Sequence, residues 1–252
     1  MVTDMVMVIN NIINFFSRSE FKNPLTIDLH SHLLPGIDDG VRTLEESLTI
    51  IKKFQSLGYT KLITTPHIIP DSYANTKEII QEKLSIVQEA LKKEQINITI
   101  EAGAEHYIDM NFLELIKEDK VVPFCNKYLL FETSYTTKPF ILKEAIFEMQ
   151  VKGYTPVLAH PERYRYMHDN FKTYNELKNL GVLFQMNIKS LKKSSGYVYK
   201  TALKLINLGL VDFVGSDTHR MRDIIDLEKI IISKKYETIF RKNHILNESL
   251  NS

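Results

Sequence analysis

The segment KGYTPVLAH, residues 152–160, contains the pattern that decides the fold of this chain. Gly153 follows an amphipathic stretch, and a glycine just past a helix adopts the left-handed conformation that ends the helix at little cost. The apolar run Val157-Leu158-Ala159 suits a short strand buried on both faces, and His160 stands where that strand is expected to end. The segment therefore predicts a helix, a turn, a buried strand and a polar side chain at the carboxyl end of the strand.

The same pattern recurs along the chain, so a repeated unit of strand and helix is the expected architecture. It is found again in SLGYTKLITTPH at 56–67, NLGVLFQMN at 179–187 and NLGLVDFVG at 207–215. Strands are predicted near residues 25–30, 61–66, 97–104, 128–132, 155–159, 182–187 and 211–216, and a helix is predicted after each. Alternation of strand and helix implies an α/β fold with a parallel sheet.

Two arrangements of such a sheet are open, a closed or nearly closed (β/α) barrel and an open doubly wound sheet. The barrel is favoured because polar residues follow nearly every predicted strand, and a barrel brings all the carboxyl ends of its strands to one face. Two helix starts are also marked in the sequence. Thr43 with Glu46 has the spacing of a capping box, and Thr76 precedes a second apolar repeat at helical spacing.

The composition is that of an ordinary globular protein and argues against some partners. The chain has 252 residues, of which 44% are hydrophobic and 25% charged, and its formal net charge is +1. This balance gives no bulk field that favours nucleic acid or an anionic membrane, so nucleic acid is not expected as a partner, while a local basic patch is left open. No stretch supplies the roughly 20 apolar residues of a membrane span, and no basic leader opens the chain. The single cysteine, Cys125, excludes an intrachain disulfide and a cysteine-based zinc site and fits a reducing, cytoplasmic location.

A single domain is expected over residues 25–240. Residues 1–24 are predicted to be an N-terminal extension that forms a short helix. Residues 241–252 are predicted to be a C-terminal tail, and its last part, 247–252, is polar and expected to be frayed.

Side chains that bind metals through nitrogen or oxygen follow the predicted strands. They are His30, His32, Asp39, His67, Glu105, Glu132, His160, Asp217 and His219. His30 and His32 are two apart on a strand and so point the same way. Imidazole and carboxylate suit Mn, Fe, Zn or Mg. Because one ion takes about four to six ligands including water, the set predicts two or three ions, an arrangement suited to hydrolysis of phosphate esters.

Simpler explanations exist for several of these residues taken singly. Glu105 and Glu132 could each form a salt bridge at the barrel mouth, and Asp39 could serve a turn or cap a helix. Asp28 alternates with His30 and is expected to orient a ligand histidine.

The other histidines are not expected to join the cluster. His106 follows Glu105 directly and would face away from it on a strand, while His168 and His244 lie in polar surroundings and are predicted to be at the surface.

Arginines near these segments are candidates for binding an anionic substrate. Arg163 follows His160 by three residues, and its guanidinium could clamp phosphate oxygens bidentately or instead form an ion pair with Glu162 at the rim. Arg220 and Arg222 follow the Asp217 segment and are further candidates. Three tyrosines could line an aromatic pocket or be ordinary packing residues, namely Tyr107, Tyr164 and Tyr166.

Six motifs, taken in order, resemble those of a known family. They are DLHSHLLPGIDDG at 28–40, TTPH at 64–67, GAE at 103–105, FE at 131–132, AHPERY at 159–164 and SDTH at 216–219. They resemble the bacterial PHP-domain (polymerase and histidinol phosphatase) protein-tyrosine phosphatases, manganese-dependent enzymes linked to capsule and exopolysaccharide regulation. The resemblance covers about residues 25–235.

The resemblance implies a distorted (β/α)7 barrel, the PHP fold, with a site for two or three Mn²⁺ ions, and Fe, Zn or Mg as alternatives. One ion would be held by His30, His32, Glu105 and Asp217, a second by Glu105, Glu132 and His160, and a third by Asp39, His67 and His219. Glu105 would bridge two ions, and Arg163 would contact phosphate. A second phosphate-binding arginine in the family lies farther past the Asp-x-His motif than Arg220 and Arg222 do here.

The function implied is hydrolysis of phosphotyrosine by a metal-bridging hydroxide, with no phosphoenzyme. Cys125 lacks the Cys-x5-Arg loop of thiol phosphatases, since the residue six beyond it is Phe131. The expected substrate is the tail of a bacterial tyrosine kinase of polysaccharide export, and an oligomer is left open. Two alternatives are a small-molecule phosphatase such as histidinol phosphatase, favoured by a deep closed mouth, and a metal-stabilised binding partner of a kinase.

Overall fold

The computed structural model describes residues 23–168, 170–193 and 196–251. The helix predicted within residues 1–24 falls outside this part, apart from its last two residues. Parallel strands alternate with helices along the described chain. The strands are β1 Ile27–Leu29, β2 Lys61–Thr64, β3 His67–Ile68, β4 Thr99–Ala102, β5 Glu105–Tyr107, β6 Tyr128–Glu132, β7 Thr155–Ala159, β8 Leu183–Asn187 and β9 Phe213–Gly215.

The helices follow the strands as predicted. They are α1 Leu44–Ser56, α2 Lys77–Lys93, α3 Met110–Lys117, α4 Leu142–Val151, α5 Arg165–His168, α6 Phe171–Asn179, α7 Tyr197–Asn207, α8 Met221–Ile231 and α9 Lys234–Lys242. Short 3-10 helices cover Pro161–Arg163, Ile188–Leu191 and Asn247–Asn251. Among the described residues, no helix is both long and apolar enough to cross a membrane.

All the predicted strands form, and two of them are each followed by a further short strand that was not predicted. The strand predicted at 61–66 is interrupted before β3 at Pro66, which has no N–H to donate to a ladder. The strand predicted at 97–104 is observed as β4, and β5 begins just past its predicted end. Backbone pairing continues across both breaks, because Gly103 N donates to Thr64 O and Glu105 N donates to Pro66 O, each at 3.0 Å.

The strands make two parallel sheets, with the orders β1-β2-β4 and β3-β5-β6-β7-β8-β9. The first and last strands are linked beyond their carboxyl ends. Asp217 N donates to His30 O at 2.8 Å, and His32 N donates to Thr218 O at 2.9 Å. The expected α/β architecture is confirmed. The described strands are not one continuous ladder, yet β1 and β9 are neighbours, as a distorted barrel requires.

Helix ends follow the signals in the sequence. Thr43 Oγ1 accepts from Glu46 N at 3.2 Å, and Thr76 Oγ1 accepts from Ile79 N at 3.4 Å. The capping box is only half formed, because the Glu46 carboxylate accepts from Arg42 N at 2.9 Å instead of from Thr43 N. The glycines predicted to end helices all have positive φ, at Gly58, Gly153, Gly181 and Gly209.

Alternate strand residues divide the core into two layers. One set, which includes Leu62, Phe131 and Phe184, packs against the helices. The other set packs among the strands themselves, with Leu29, Leu130 and Ala159 as members. Along β6 the apolar residue Leu130 is followed two residues later by Glu132, on the same side of the strand. The interior therefore changes from apolar to polar toward the carboxyl ends, where the site lies.

The C-terminal segment 247–251 is not frayed, so that expectation was wrong. Asn247 is fully buried, donates to Ile27 O at 3.1 Å and Val214 O at 2.7 Å, and accepts from Val214 N at 3.0 Å. Leu250 is also buried and packs in the inner layer. The Asn247 amide thus satisfies backbone groups of both β1 and β9, two strands that share no ladder within the described part of the chain.

We expect Gly215→Ala to lower the free energy of unfolding by about 3 kcal/mol, because a Cβ there would overlap the Leu29 carbonyl and lie 2.8 Å from Gln185 Nε2. Gly58→Ala is the matched control: its Cβ would meet nothing within 4 Å, and the positive φ costs only about 1 kcal/mol. Urea unfolding of both variants measures the difference. Equal losses would contradict the close approach of β9 to β1.

Candidate metal centre

The structure brings all nine predicted ligands together at the carboxyl ends of the strands. His30 and His32 follow β1, and the others come from or follow later strands, except Asp39, which lies in the loop before α1. Four overlapping groups have candidate ligand atoms within 4.8 Å of one another. These groups are His32, Asp39, His67 and His219; His30, His32 and Asp217; His30, Glu105 and His160; and His67, Glu105 and Glu132.

Glu105 is the centre of this arrangement. Its Oε2 lies 3.1 Å from His30 Nε2, 3.6 Å from His32 Nε2 and 3.2 Å from His67 Nδ1. Its Oε1 lies 2.7 Å from His160 Nε2. Burial by itself would raise the pKa of Glu105, but the surrounding imidazoles, His30 first among them, hold that pKa well below its usual value. Glu105 is therefore an ionised carboxylate shared by four imidazoles.

Asp217 is the second buried carboxylate. Its Oδ1 lies 3.7 Å from His30 Nε2, 3.6 Å from His32 Nε2 and 3.2 Å from His219 Nδ1. Burial opposes its ionisation, yet His30 and Lys189 hold its pKa far below the ordinary value for aspartate.

The outer part of the centre is formed by Asp39, His67 and His219. Asp39 Oδ1 lies 3.5 Å from His67 Nε2 and 3.4 Å from His219 Nε2. The His219 ring stacks on that of His32 with 3.9 Å between centroids. Burial and the neighbouring His219 lower the pKa of His32 to about 4. Neutral His32 has a lone pair available to a metal at neutral pH.

Glu132 faces the centre from β6. Its Oε1 lies 3.1 Å from His67 Nδ1, and its Oε2 lies 3.8 Å from His160 Nε2. Burial and the nearby Glu105 raise the pKa of Glu132. Two buried carboxylates this close together repel each other, and bound cations would relieve that repulsion.

Backbone strain is concentrated at three of the nine residues. His30, His160 and Asp217 have φ of 86°, 33° and 50°, in the left-handed region that non-glycine residues avoid. Each such residue costs about 1–3 kcal/mol unless the surrounding structure holds it in place. Asp217 N donates to His30 O at 2.8 Å, and Arg163 N donates to His160 O at 2.9 Å. These bonds hold the strained turns in place just beyond β1, β7 and β9.

The donors fit divalent metal ions. His32 Nε2 and His67 Nδ1 are buried without a hydrogen-bond partner among the described residues, although carboxylate oxygens lie within 3.6 Å of both. Buried polar atoms are rarely left unsatisfied. A bound cation would satisfy both nitrogens and carboxylates at once. The set is made of imidazole and carboxylate only, which favours Mn, Fe, Zn or Mg.

Residues that orient the ligands were missed from the sequence. His30 Nδ1 donates to Gln185 Oε1, and His32 Nδ1 donates to the Asp38 carboxylate, each at 2.7 Å. Asn187 Nδ2 donates to Asp217 Oδ2 at 2.6 Å. Such partners fix the tautomer and direction of a ligand. The polar residues Gln185 and Asn187 at the end of an otherwise apolar strand were the available signal.

The expected role of Asp28 was wrong. Its carboxylate accepts from Ser216 N and Ser216 Oγ, both at 2.8 Å, and no hydrogen bond joins it to a histidine in the described part of the chain. Burial raises its pKa to about 7. Asp28 therefore ties β1 to the turn after β9.

The exclusion of His106 was correct. It is buried, its Nδ1 donates to Leu130 O at 3.1 Å and its Nε2 accepts from Val122 N at 3.1 Å. His244 is exposed as expected, whereas His168 is half-buried with Nε2 at 2.8 Å from Glu162 O.

Arg163 points toward the centre. Its Nη1 lies 3.3 Å from Asp217 Oδ2, and its guanidinium carbon lies 4.5 Å from the centroid of the Tyr135 ring. The alternative ion pair with Glu162 is not formed, because Glu162 is buried and accepts from Asn187 N at 3.0 Å and from Ser190 at 2.7 Å.

Arg163 shares a cavity of about 430 Å³ with the metal-binding candidates and with Arg220 and Arg222. Arg220 donates to Gly40 O and to His219 O, so part of its guanidinium is engaged by backbone. A lysine missed from the sequence also lies here. Lys189 Nζ is 2.7 Å from Asp217 O and 2.9 Å from Asp217 Oδ2.

Tyr135, which the sequence did not single out, lines this cavity. Of the tyrosines considered from the sequence, Tyr164 is buried and donates to Ala159 O at 3.0 Å, and Tyr166 lies 2.8 Å from Thr133 Oγ1. Both are packing residues beneath the wall of the site.

Comparison with known proteins agrees with this geometry. Residues 26–246 match the family model described as capsular polysaccharide synthesis, CpsB/CapC. The chain is 30% identical over 222 residues to the tyrosine-protein phosphatase CpsB of Streptococcus agalactiae, which covers 85% of this chain and 90% of that protein. It is 30% identical over 198 residues to the tyrosine-protein phosphatase YwqE of Bacillus subtilis, covering 78% of each.

A solved structure leads to the same family. It comes from work on YwqE of Bacillus subtilis and CpsB of Streptococcus pneumoniae, described as metal-dependent tyrosine phosphatases. It superposes with a TM-score of 0.74 at 27% identity and covers 87% of this chain and 96% of that chain. This chain belongs to the CpsB/CapC family of capsular polysaccharide synthesis.

Proposed function

We propose that this protein is a metal-dependent phosphotyrosine-protein phosphatase, a phosphoric monoester hydrolase that acts at the centre around Glu105. The observation that carries the proposal is the convergence of nine imidazole and carboxylate side chains on one face, with Arg163 in the wall of the same cavity. The relatives in the same family carry this activity in their names. We propose that the catalytic unit is the single domain of residues 25–240.

We propose Mn²⁺ as the metal, in two or three ions. His30, His32, Glu105 and Asp217 would hold one ion; Glu105, Glu132 and His160 a second; and Asp39, His67 and His219 a third. Bound divalent ions would act as Lewis acids toward the phosphate. They would also lower the pKa of a bound water molecule, so that hydroxide is available at neutral pH. Glu105 contacts imidazoles of all three sets, which supports the proposal that it would be shared between ions.

The chain's own cations bind and orient the phosphate. Arg163 presents a planar guanidinium that can contact two phosphate oxygens, and the Tyr135 ring beneath it restricts its orientation. Lys189 adds a second positive charge on the same wall. Both cations contact Asp217 Oδ2, so they stay beside the metal ligands in the absence of substrate.

We infer that the substrate is a protein segment, in preference to a small metabolite such as histidinol phosphate. The site cavity shares the lining residues Arg163 and Lys189 with a second cavity of about 920 Å³. The metal centre therefore opens into a neighbouring groove instead of being enclosed around the phosphate. We propose that this segment is the tail of a bacterial tyrosine kinase of polysaccharide export, in the cytoplasm. The family's link to capsular polysaccharide synthesis supports the choice of pathway.

Phosphate release tests the proposal. Initial rates are measured with Mn²⁺ and with EDTA on a phosphotyrosine peptide, a phosphoserine peptide and histidinol phosphate, with Asp217→Ala as the inactive control. We expect Mn²⁺-dependent release mainly from phosphotyrosine, lost in the control. Preference for histidinol phosphate would move the enzyme to the small-molecule class. No release from a metal-loaded protein would favour the binding-partner alternative.

We expect Cys125→Ser to change kcat/KM by less than about twofold, because no thiol nucleophile is used. Cys125 precedes β6, at the end of that strand opposite Glu132, and its Sγ lies 3.9 Å from Leu250 O. Partial burial also raises the pKa of the thiol, which disfavours the reactive thiolate. Loss of turnover with intact metal content would contradict the mechanism.

A further inference from the structure

A basic groove runs beside the metal centre. It is the cavity of about 920 Å³ described above, and the residues that characterise it are Arg163, Arg165, Lys189, Lys192, Lys193 and Tyr197. Its size is at the upper end of the range of about 300–1,000 Å³ typical of ligand pockets, so it has room for several peptide residues. Because Arg163 and Lys189 line both cavities, a substrate peptide bound at the metal centre can continue directly into the groove.

The charge of the groove is one-sided. The described residues that line it include five Arg or Lys and no Asp or Glu. This concentration is local, since the whole chain has a formal net charge of only +1. Positive charge focused in a cleft raises the local concentration of an anionic partner.

Two of these cations are free to bind a partner. Arg163 and Lys189 already contact Asp217, and Lys192 pairs with Asp226 at 2.7 Å. Arg165 and Lys193 are exposed and have no acidic partner among the described residues. The backbone of Arg165 is fixed against the site wall, because its N donates to Tyr135 O at 2.7 Å.

An exposed aromatic side chain also lines the groove. Tyr197 is 65% exposed, and its ring stacks on that of His168 with 5.6 Å between centroids and 12° between planes. His168 is itself held by Glu162 O, 2.8 Å from its Nε2. An exposed but ordered tyrosine beside cations is a contact surface typical of peptide recognition.

We propose that Arg165 and Lys193 select substrates that carry acidic side chains next to the phosphotyrosine, and that these side chains bind in the basic groove. This inference rests on the proposed phosphatase function and adds a specificity determinant to it. The phosphate occupies the metal centre beside Arg163, and the flanking residues of the same peptide lie along Arg165, Lys193 and Tyr197. We expect these contacts to be the same in the bound substrate and in the transition state, so their binding energy lowers KM more than it raises kcat.

The test compares phosphotyrosine peptides that differ only in the residues next to the phosphotyrosine. On the N-terminal side, and separately on the C-terminal side, these residues are either glutamate or glutamine. A substrate without flanking residues is p-nitrophenyl phosphate. The variant is Arg165→Gln with Lys193→Gln. The control is Lys93→Gln, which removes one exposed positive charge at the end of α2, a helix whose residues do not line the groove. Each protein is loaded with Mn²⁺, and kcat and KM are measured separately at low and high salt.

With glutamate on the side of the phosphotyrosine that enters the groove, we expect the wild type to show a KM about fivefold lower than with glutamine at the same positions. A difference of this size corresponds to two exposed ion pairs. The preference should shrink at high salt and fall below about twofold in the double variant, while turnover of p-nitrophenyl phosphate stays unchanged. Lys93→Gln should retain the preference. Equal KM values for both peptides in the wild type, or a preference that survives in the double variant, would overturn the proposal.

A failed phosphatase proposal would show separately, as absence of turnover on every substrate including p-nitrophenyl phosphate. In that case the proposal for the groove can still be tested by binding. Fluorescence anisotropy measures the affinity of the metal-loaded protein for the same phosphopeptides carrying a fluorescent label. Tighter binding of the glutamate-flanked peptide that weakens in the double variant supports it, and equal binding overturns it.

Discussion

Replacing Glu105 by glutamine is expected to lower kcat/KM for a phosphotyrosine peptide by about a thousandfold or more, which corresponds to about 4 kcal/mol of lost transition-state stabilisation. Glutamine keeps the shape of the side chain but removes its charge. Oxygens of Glu105 lie within 3.6 Å of four imidazoles, those of His30, His32, His67 and His160. No other carboxylate of the described chain contacts so many. A neutral side chain at this position would weaken the binding of every metal ion that shares Glu105.

The same variant should bind fewer metal ions, so metal content is measured alongside activity. Elemental analysis after Mn²⁺ loading is expected to show at least one ion fewer per chain than in the wild type. Glu114→Gln is the matched control, because Glu114 is exposed on α3 and should lose neither metal nor activity. Circular dichroism verifies that Glu105→Gln remains folded. Activity within tenfold of the wild type, at unchanged metal content, would contradict the central place given to Glu105.

Much of the fold was predictable because its signals are local. An apolar run followed by a polar residue indicates a strand and its end wherever it occurs, and a glycine such as Gly153 indicates where a helix stops. Pro66 is a local signal for the break before β3. The break before β5 and the buried role of Asn247 were not predictable in this way. Asn247 looks like any polar residue near a chain end, and only the approach of β1 to β9 gives its amide backbone partners.

In the candidate site, too, the residues with local sequence signals were predictable, and those that depend on the packing of distant segments were not. All nine predicted ligands converge, because all of them except Asp39 lie in strands or just after them, and parallel strands end at a common face. The supporting residues depend on which strands and loops become neighbours. Gln185 reaches His30 from β8, across 155 positions of sequence, and Lys189 reaches Asp217 from the 3-10 helix after β8. No local pattern specifies such partners.

Arg163→Ala is expected to lower kcat/KM by about a hundredfold or more while leaving metal content unchanged, since a guanidinium placed on a transferring phosphate acts mainly on the transition state. Metal binding should survive because Asp217 Oδ2 keeps two other partners, Asn187 Nδ2 at 2.6 Å and Lys189 Nζ at 2.9 Å. Arg163→Lys keeps the charge but cannot contact two oxygens in one plane, so we expect it to recover only part of the loss.

The pair of variants separates two roles for this arginine, in a steady-state assay run with metal analysis of the same samples. If Arg163 binds phosphate, kcat/KM falls at constant Mn²⁺ content, and lysine is intermediate. If Arg163 only supports Asp217, whose Oδ2 it contacts at 3.3 Å, activity and metal content fall together. The second result would remove Arg163 from the substrate site. The side chain is 34% exposed, packs over the Tyr135 ring and lines the cavity that holds the metal-binding candidates, so an incoming phosphate can reach it, which favours the first result.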